Sequence, residues 1–109
     1  MLADLNLRLI SLLKKVFEIE TPTALASEIV NGPKGSDLIL ELCARSGATE
    51  YISGPDGRNY LELEKFARAG IKVSYHDYVH PEYQQMHQGS FISHMSAIDY
   101  IFNKGGVLC

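Results

Sequence analysis

The sequence predicts an α/β fold: a small, open, mainly parallel sheet with helices packed on it. Three observations carry this expectation. Two short β-rich stretches, "TEYIS" at 49–53 and "IKVSYHDY" at 71–78, follow a glycine, Gly47 two residues ahead or Gly70 immediately ahead, placed where a left-handed residue ends a helix. Helical patterns of about ten residues alternate with these stretches, the spacing of βαβ units rather than hairpins. No internal repeat or low-complexity linker interrupts the 109 residues, so one domain is expected, burying roughly two-thirds of the surface its unfolded form exposes.

The elements follow in order. Leu5, Leu9, Leu12, Leu13 and Val16 recur at helical spacing, with Asp4 as N-cap and Lys14 and Lys15 near the end, where the helix dipole favours cations. Ile19 to Thr23 reads as an edge strand, since Pro22 lacks the N–H that a central strand donates. Ser36 or Asp37 caps a second helix through Arg45, with Cys43 buried on it. The strand "TEYIS" stops at Gly54-Pro55-Asp56-Gly57, a turn combination. Asn59 and Glu62 have capping-box spacing ahead of Phe66 and Ala69. The next strand sets Ile71, Val73 and Tyr75 against Lys72, Ser74 and His76, the period of a strand with one buried face. Ser96 with Asp99 caps a last helix whose Ile98, Ile101 and Phe102 turn inward before Gly105 and Gly106. These are Rossmann-like βαβ units with right-handed crossovers.

Composition narrows the function classes. Hydrophobic residues at 46% and charged residues at 21% describe a globular chain, not a disordered one. A net charge of −3 without a basic stripe argues against nucleic acid as a partner. No apolar run approaches the roughly 20 residues that span a bilayer, and Arg8, Lys14 and Lys15 break up the first helix, so no membrane association is expected. Cys43 and Cys109 lack the close spacing of a disulfide framework, and reduced thiols in a cytoplasmic protein are expected.

In an open parallel sheet the ligand crevice lies outside the carboxyl ends of the strands, where Ser53–Tyr60 and His76–Gln85 leave the sheet. The first loop offers the Ser53 hydroxyl, backbone N–H groups around Gly54 and Gly57, and Arg58, with Tyr60 where the loop meets a helix. This set fits an anion, and equally a turn whose glycines only meet dihedral needs. In the second loop Asp77 and His80 are three apart, a carboxylate able to orient an imidazole, with the Tyr83 phenol nearby. That set suits a general base; it also fits a turn capped by Asp77 with Tyr83 packed over the sheet edge. A metal set of His76, Asp77 and His80 lacks the one-face geometry of a helical motif, and no metal is expected. His87 and His94 read as surface residues, and Tyr51 and Tyr75 as packing aromatics on strands.

Three motifs in order, "GATEYISGPDGRNYL", "FARAGIKVSYHDYVHPEYQQ" and "SAIDYIFNKGG", resemble the carboxyl-terminal half of the WbqC-like family, over about Leu5 to Gly106. The resemblance implies a place in surface-polysaccharide (O-antigen) biosynthesis, with a nucleotide-sugar or related anionic metabolite bound for acyl or glycyl transfer. It groups Ser53, Gly54, Pro55, Gly57 and Tyr60 in one signature and Asp77, His80, Pro81 and Tyr83 in another. On this basis His80 is expected as general base, Asp77 as its orienting carboxylate, Tyr83 as substrate donor, and Ser53, Gly54, Gly57, Arg58 and Tyr60 as the binding loop. The family's usual amino-terminal half is not matched by these motifs, which leaves a sheet edge for a partner or a homodimer to cover. A non-catalytic binding or assembly module is the other expectation.

Overall fold

The computed structural model describes residues 1–105. Helices α1 (Leu2–Val16), α2 (Ala26–Ile29) and α3 (Gly35–Arg45) precede strand β1 (Glu50–Ser53). A 3₁₀ helix at Pro55–Asn59 and helix α4 (Leu63–Arg68) lead to strand β2 (Lys72–Tyr75), and helix α5 (Ala97–Lys104) closes the described chain. The two strands pair in parallel, in the register Glu50 with Lys72, Tyr51 with Val73, Ile52 with Ser74 and Ser53 with Tyr75. A small open parallel sheet with helices, α/β in class, is therefore what the chain forms. Its parallel order follows from the intervening helix, because two residues of turn could join only antiparallel strands.

The chain divides into two compact units. The first, Thr23–Tyr78, holds α2, α3, α4 and both strands. Its core is Cys43 from α3, Leu61 and Phe66 from the region of α4, and Ile71 ahead of β2, with Tyr51, Val73 and Tyr75 packed against it. Phe66 is fully buried and its ring lies 6.1 Å from that of Tyr51 in a stacked arrangement. Truncating such a ring costs about 3–5 kcal/mol, a large part of the roughly 5–15 kcal/mol that holds an ordinary domain folded. Burial of Cys43 in the same cluster raises its thiol pKa.

Polar contacts tie α3 to α4 within this unit. The Glu62 N–H donates to the Ser36 hydroxyl at 3.0 Å, and the Lys65 ammonium bridges Asp37 at 2.8 Å and Glu62 at 2.6 Å. These contacts correct two capping expectations. Lys34 is the N-cap of α3, and the Ser36 hydroxyl inside the first turn serves the start of α4 instead. Asn59 ends the 3₁₀ helix, whose Gly57 carbonyl accepts from Tyr60 and Leu61, so α4 starts later with Glu62 as N-cap.

The second unit comprises Met1–Pro22 and the described part of 79–109, with α1 and α5. Helix α1 starts at Leu2, and Asp4 falls inside its first turn rather than at the cap. No residue of α1 is buried, and Leu2, Leu5, Leu7, Leu9, Ile10 and Leu12 are exposed. The expected edge strand at 19–23 does not form. Glu18 instead takes a left-handed conformation, the Ile19 N–H closes onto the Lys14 carbonyl at 2.8 Å, and the Lys14 ammonium donates to the Thr21 carbonyl. Those residues finish the end of α1, which leaves their backbone groups turned away from a ladder.

Residues 79–95 run without regular structure, fastened by side chains. The Gln85 amide imitates a strand neighbour: its nitrogen donates to the Ile92 carbonyl at 2.9 Å, and its oxygen accepts from the Ile92 N–H at 3.0 Å. Ser96 caps α5 as expected, accepting from the Ile98 N–H at 3.3 Å. Phe102, expected inside, is 78% exposed. Tyr100 is the aromatic that packs, against Phe17 and Tyr83, because the α5 face is rotated relative to the sequence reading. Cys109 and Gly106 lie outside the described residues.

Candidate functional site

Within the first unit, the residues leaving the two strands meet at the carboxyl end of the sheet. The His76 N–H donates to the Ser53 carbonyl at 2.8 Å, extending the ladder one step past β2 and fixing both exits side by side. Arg58, from the 3₁₀ helix after β1, lays its guanidinium carbon 4.2 Å from the centre of the Tyr75 ring. Its Nη2 atom sits 3.5 Å from Oδ1 of Asp77. The aromatic face restricts the long Arg58 side chain, and the carboxylate aims it, while about half of that side chain stays exposed. Tyr75, read from sequence as packing, thus also lies beneath the Arg58 guanidinium.

The loop behind Arg58 is tighter than a glycine-rich cradle. Ser53 is 2% exposed and its hydroxyl donates to the Gly54 carbonyl at 2.9 Å. Gly57 is buried against it: a Cβ at position 57 would fall 2.0 Å from the Ser53 Oγ and 2.9 Å from Leu61. Gly57 therefore serves close packing of the 3₁₀ helix on the strand end. Gly54 has open space around it, and Tyr60 is half exposed.

His76 and Tyr78 stack on each other with centroids 5.8 Å apart and planes 18° from parallel, and Tyr78 is 61% exposed. A groove of about 360 Å³ lined by Leu63, Ala67, Gly70, Ile71, Lys72 and Val73 runs along the α4–β2 flank instead. Its mainly apolar walls away from the strand ends suit packing more than an anion.

His80 and Tyr83 belong to the second unit, Asp77 to the first. The His80 Nδ1 atom is 3.0 Å from the Pro81 carbonyl oxygen. A carbonyl only accepts, so Nδ1 is the donor of this contact. The His80 ring lies 6.3 Å from Tyr83, 6.0 Å from Phe91 and 5.2 Å from His94. Tyr83 is buried, and its hydroxyl donates to Asp99 Oδ2 at 2.6 Å; the Gln85 amide donates to the same oxygen at 3.2 Å. Asp99, read from sequence as a helix cap, is the acceptor that holds this aromatic cluster. His94, read as a surface residue, is exposed but stands beside His80 with a positive φ of 59°. No sequence signal pairs residues 80 and 94 or 83 and 99, because the chain between the members of each pair runs largely without regular structure.

Among the described residues, no group of three His, Cys, Asp or Glu side chains is placed to hold a metal ion. None of the described helices is long and apolar enough to cross a membrane.

The model of the WbqC-like protein family matches residues 1–107, almost the whole sequence. The chain belongs to the WbqC-like protein family. It is similar to the uncharacterised protein Rv1507c of Mycobacterium tuberculosis, 31% identical over 105 residues that cover 95% of this chain and 45% of the relative. The WbqC-like chain thus spans about half the length of the curated relative it matches. No solved structure matches it.

Proposed function

We propose that this WbqC-like chain binds a nucleotide-sugar or related anionic metabolite at the carboxyl edge of β1 and β2, in surface-polysaccharide biosynthesis, for acyl or glycyl transfer. The observation that carries the reading is Arg58, laid on Tyr75 and aimed by Asp77 where ligands of parallel sheets bind. An exposed Arg–carboxylate pair is worth about 1 kcal/mol or less, so a phosphate can take the guanidinium from Asp77 at little cost. Backbone around Gly54 and the half-exposed Tyr60 would border the anion, with Ser53 and Gly57 holding the loop beneath it.

In this reading His80 is the general base through Nε2, oriented at Nδ1 by the Pro81 carbonyl, and Tyr83 steadies the surrounding rings through Asp99. Asp77 keeps Arg58 in position until the anion arrives. In the same reading the two strands belong to a Rossmann-like sheet whose open edges are covered by a partner or by a second copy in a homodimer. The reaction is assigned to the cytoplasm. A second reading, a non-catalytic assembly module, is favoured by the exposed apolar residues of α1.

Thermal denaturation with a panel of nucleotide-sugars, free nucleotides and acyl carriers tests the first reading. A selective rise in melting temperature that Arg58→Ala abolishes is expected, with product formation that His80→Ala abolishes in a folded protein. Stabilisation without any turnover would transfer the chain to the second reading. No response to any ligand would remove the site.

A further inference from the structure

The alternation of side chains continues past the end of β2. Tyr75 and Asp77 both contact Arg58, whereas His76 and Tyr78 contact each other. One short run of backbone therefore carries an ionic group on one side and a flat aromatic pair on the other, at the sheet edge where a ligand would lie across it. The aromatic pair is an unusual surface feature. Tyr78 is 61% exposed and His76 is also exposed, yet the rings hold each other within 18° of parallel, and the His76 backbone is pinned to Ser53. An exposed, pre-aligned π-face is what a planar heterocycle stacks on.

We propose that His76 and Tyr78 form the stacking platform for the base of a nucleoside diphosphate whose phosphates engage Arg58. This rests on the anion-binding reading of the same edge and adds the chemistry of the other end of the ligand. The pairing of a flat apolar face with one aimed guanidinium selects a molecule with an aromatic ring at one end and a diphosphate at the other. Stacking tolerates every base, so the platform distinguishes nucleotides from plain sugar phosphates more than one base from another.

Isothermal titration with UDP, GDP and inorganic pyrophosphate separates the two ideas. The wild-type chain is expected to bind at least one nucleoside diphosphate about tenfold or more tightly than pyrophosphate. Tyr78→Ala and His76→Ala should erase that advantage and leave pyrophosphate binding unchanged, Tyr78→Phe should keep it, and Arg58→Ala should weaken all three ligands. These residues lie at the surface, and circular dichroism verifies that each variant is folded. Equal binding of pyrophosphate and both nucleotides, or a preference that survives Tyr78→Ala and His76→Ala, would overturn the platform and leave the anion site standing. Failure of all three to bind the wild-type chain would overturn the anion site, and the platform with it.

Discussion

Gly57 lies against Ser53 so closely that a single added carbon would sit 2.0 Å from the serine oxygen. This contact seats the 3₁₀ helix on the end of β1 and so places Arg58. Gly57→Ala is expected to destabilise the chain by about 1–3 kcal/mol through overpacking. Ser53→Ala removes the oxygen that clashes, and the Ser53→Ala/Gly57→Ala double variant should recover part of the loss. Urea denaturation of all four proteins in the cycle reads the coupling; strictly additive effects would mean that the close approach is not the cause.

Tyr83 donates a hydrogen bond from its phenol to a carboxylate, a stronger bond than one between neutral groups. Tyr83→Phe should cost about 1.5–3 kcal/mol in urea unfolding. In an Asp99→Ala background the same change should cost far less, since the acceptor is already absent. An equal cost in both backgrounds would locate the effect elsewhere.

The cross-strand pair Glu50–Lys72, 3.3 Å apart, makes the sheet sensitive to acid. The Ser74 hydroxyl and the Lys72 ammonium lower the Glu50 carboxyl pKa. A carboxyl lowered on folding adds stability above its unfolded value, about 4.3, and that stability disappears as pH falls through the folded value. Glu50→Gln should therefore melt slightly lower than wild type at pH 7, and the gap should close below pH ~4. A gap that stays constant with pH would exclude this carboxylate as its source. The group is exposed, and the effect is expected to be small and reduced by salt.

Burial of Cys43 predicts a slow thiol. Its pKa is raised by desolvation, which lowers the thiolate fraction at neutral pH, and the surrounding core blocks reagents. Peptide mapping after iodoacetamide treatment should find position 43 unmodified in the native chain and modified in urea. Rapid labelling without denaturant would show that the cluster around Phe66 opens readily.

Much of the fold was legible because local signals and tertiary packing agree there. β1 and β2 follow shortly after Gly47 and Gly70 end helices, and the apolar alternation of β2 matches the side that meets Phe66. Expectations failed where a polar side chain found a distant partner. Ser36 and Asn59 both look like caps, but the Ser36 hydroxyl accepts from Glu62, 26 residues away, and Asn59 was absorbed by a 3₁₀ turn. Helix α2, only four residues long, is too short to show a periodicity. For the site, the sequence brought Arg58 and Asp77 to one edge, and left Tyr75 among the packing residues because cation–π contact has no spacing rule. Asp99 was hidden for the same reason, as its partner lies 16 residues back along an irregular segment.

The division of the chain also orders events during synthesis. Thr23–Tyr78 is continuous, so its core can assemble as soon as β2 leaves the ribosome. Helix α1 is made before that unit, yet Phe17 meets Tyr100, its ring partner at 6.3 Å, only when α5 has been made, roughly several seconds later at ordinary rates of elongation. The continuous unit can thus be complete while the aromatic contact that ties the α1 segment to the α5 segment still waits for its second ring.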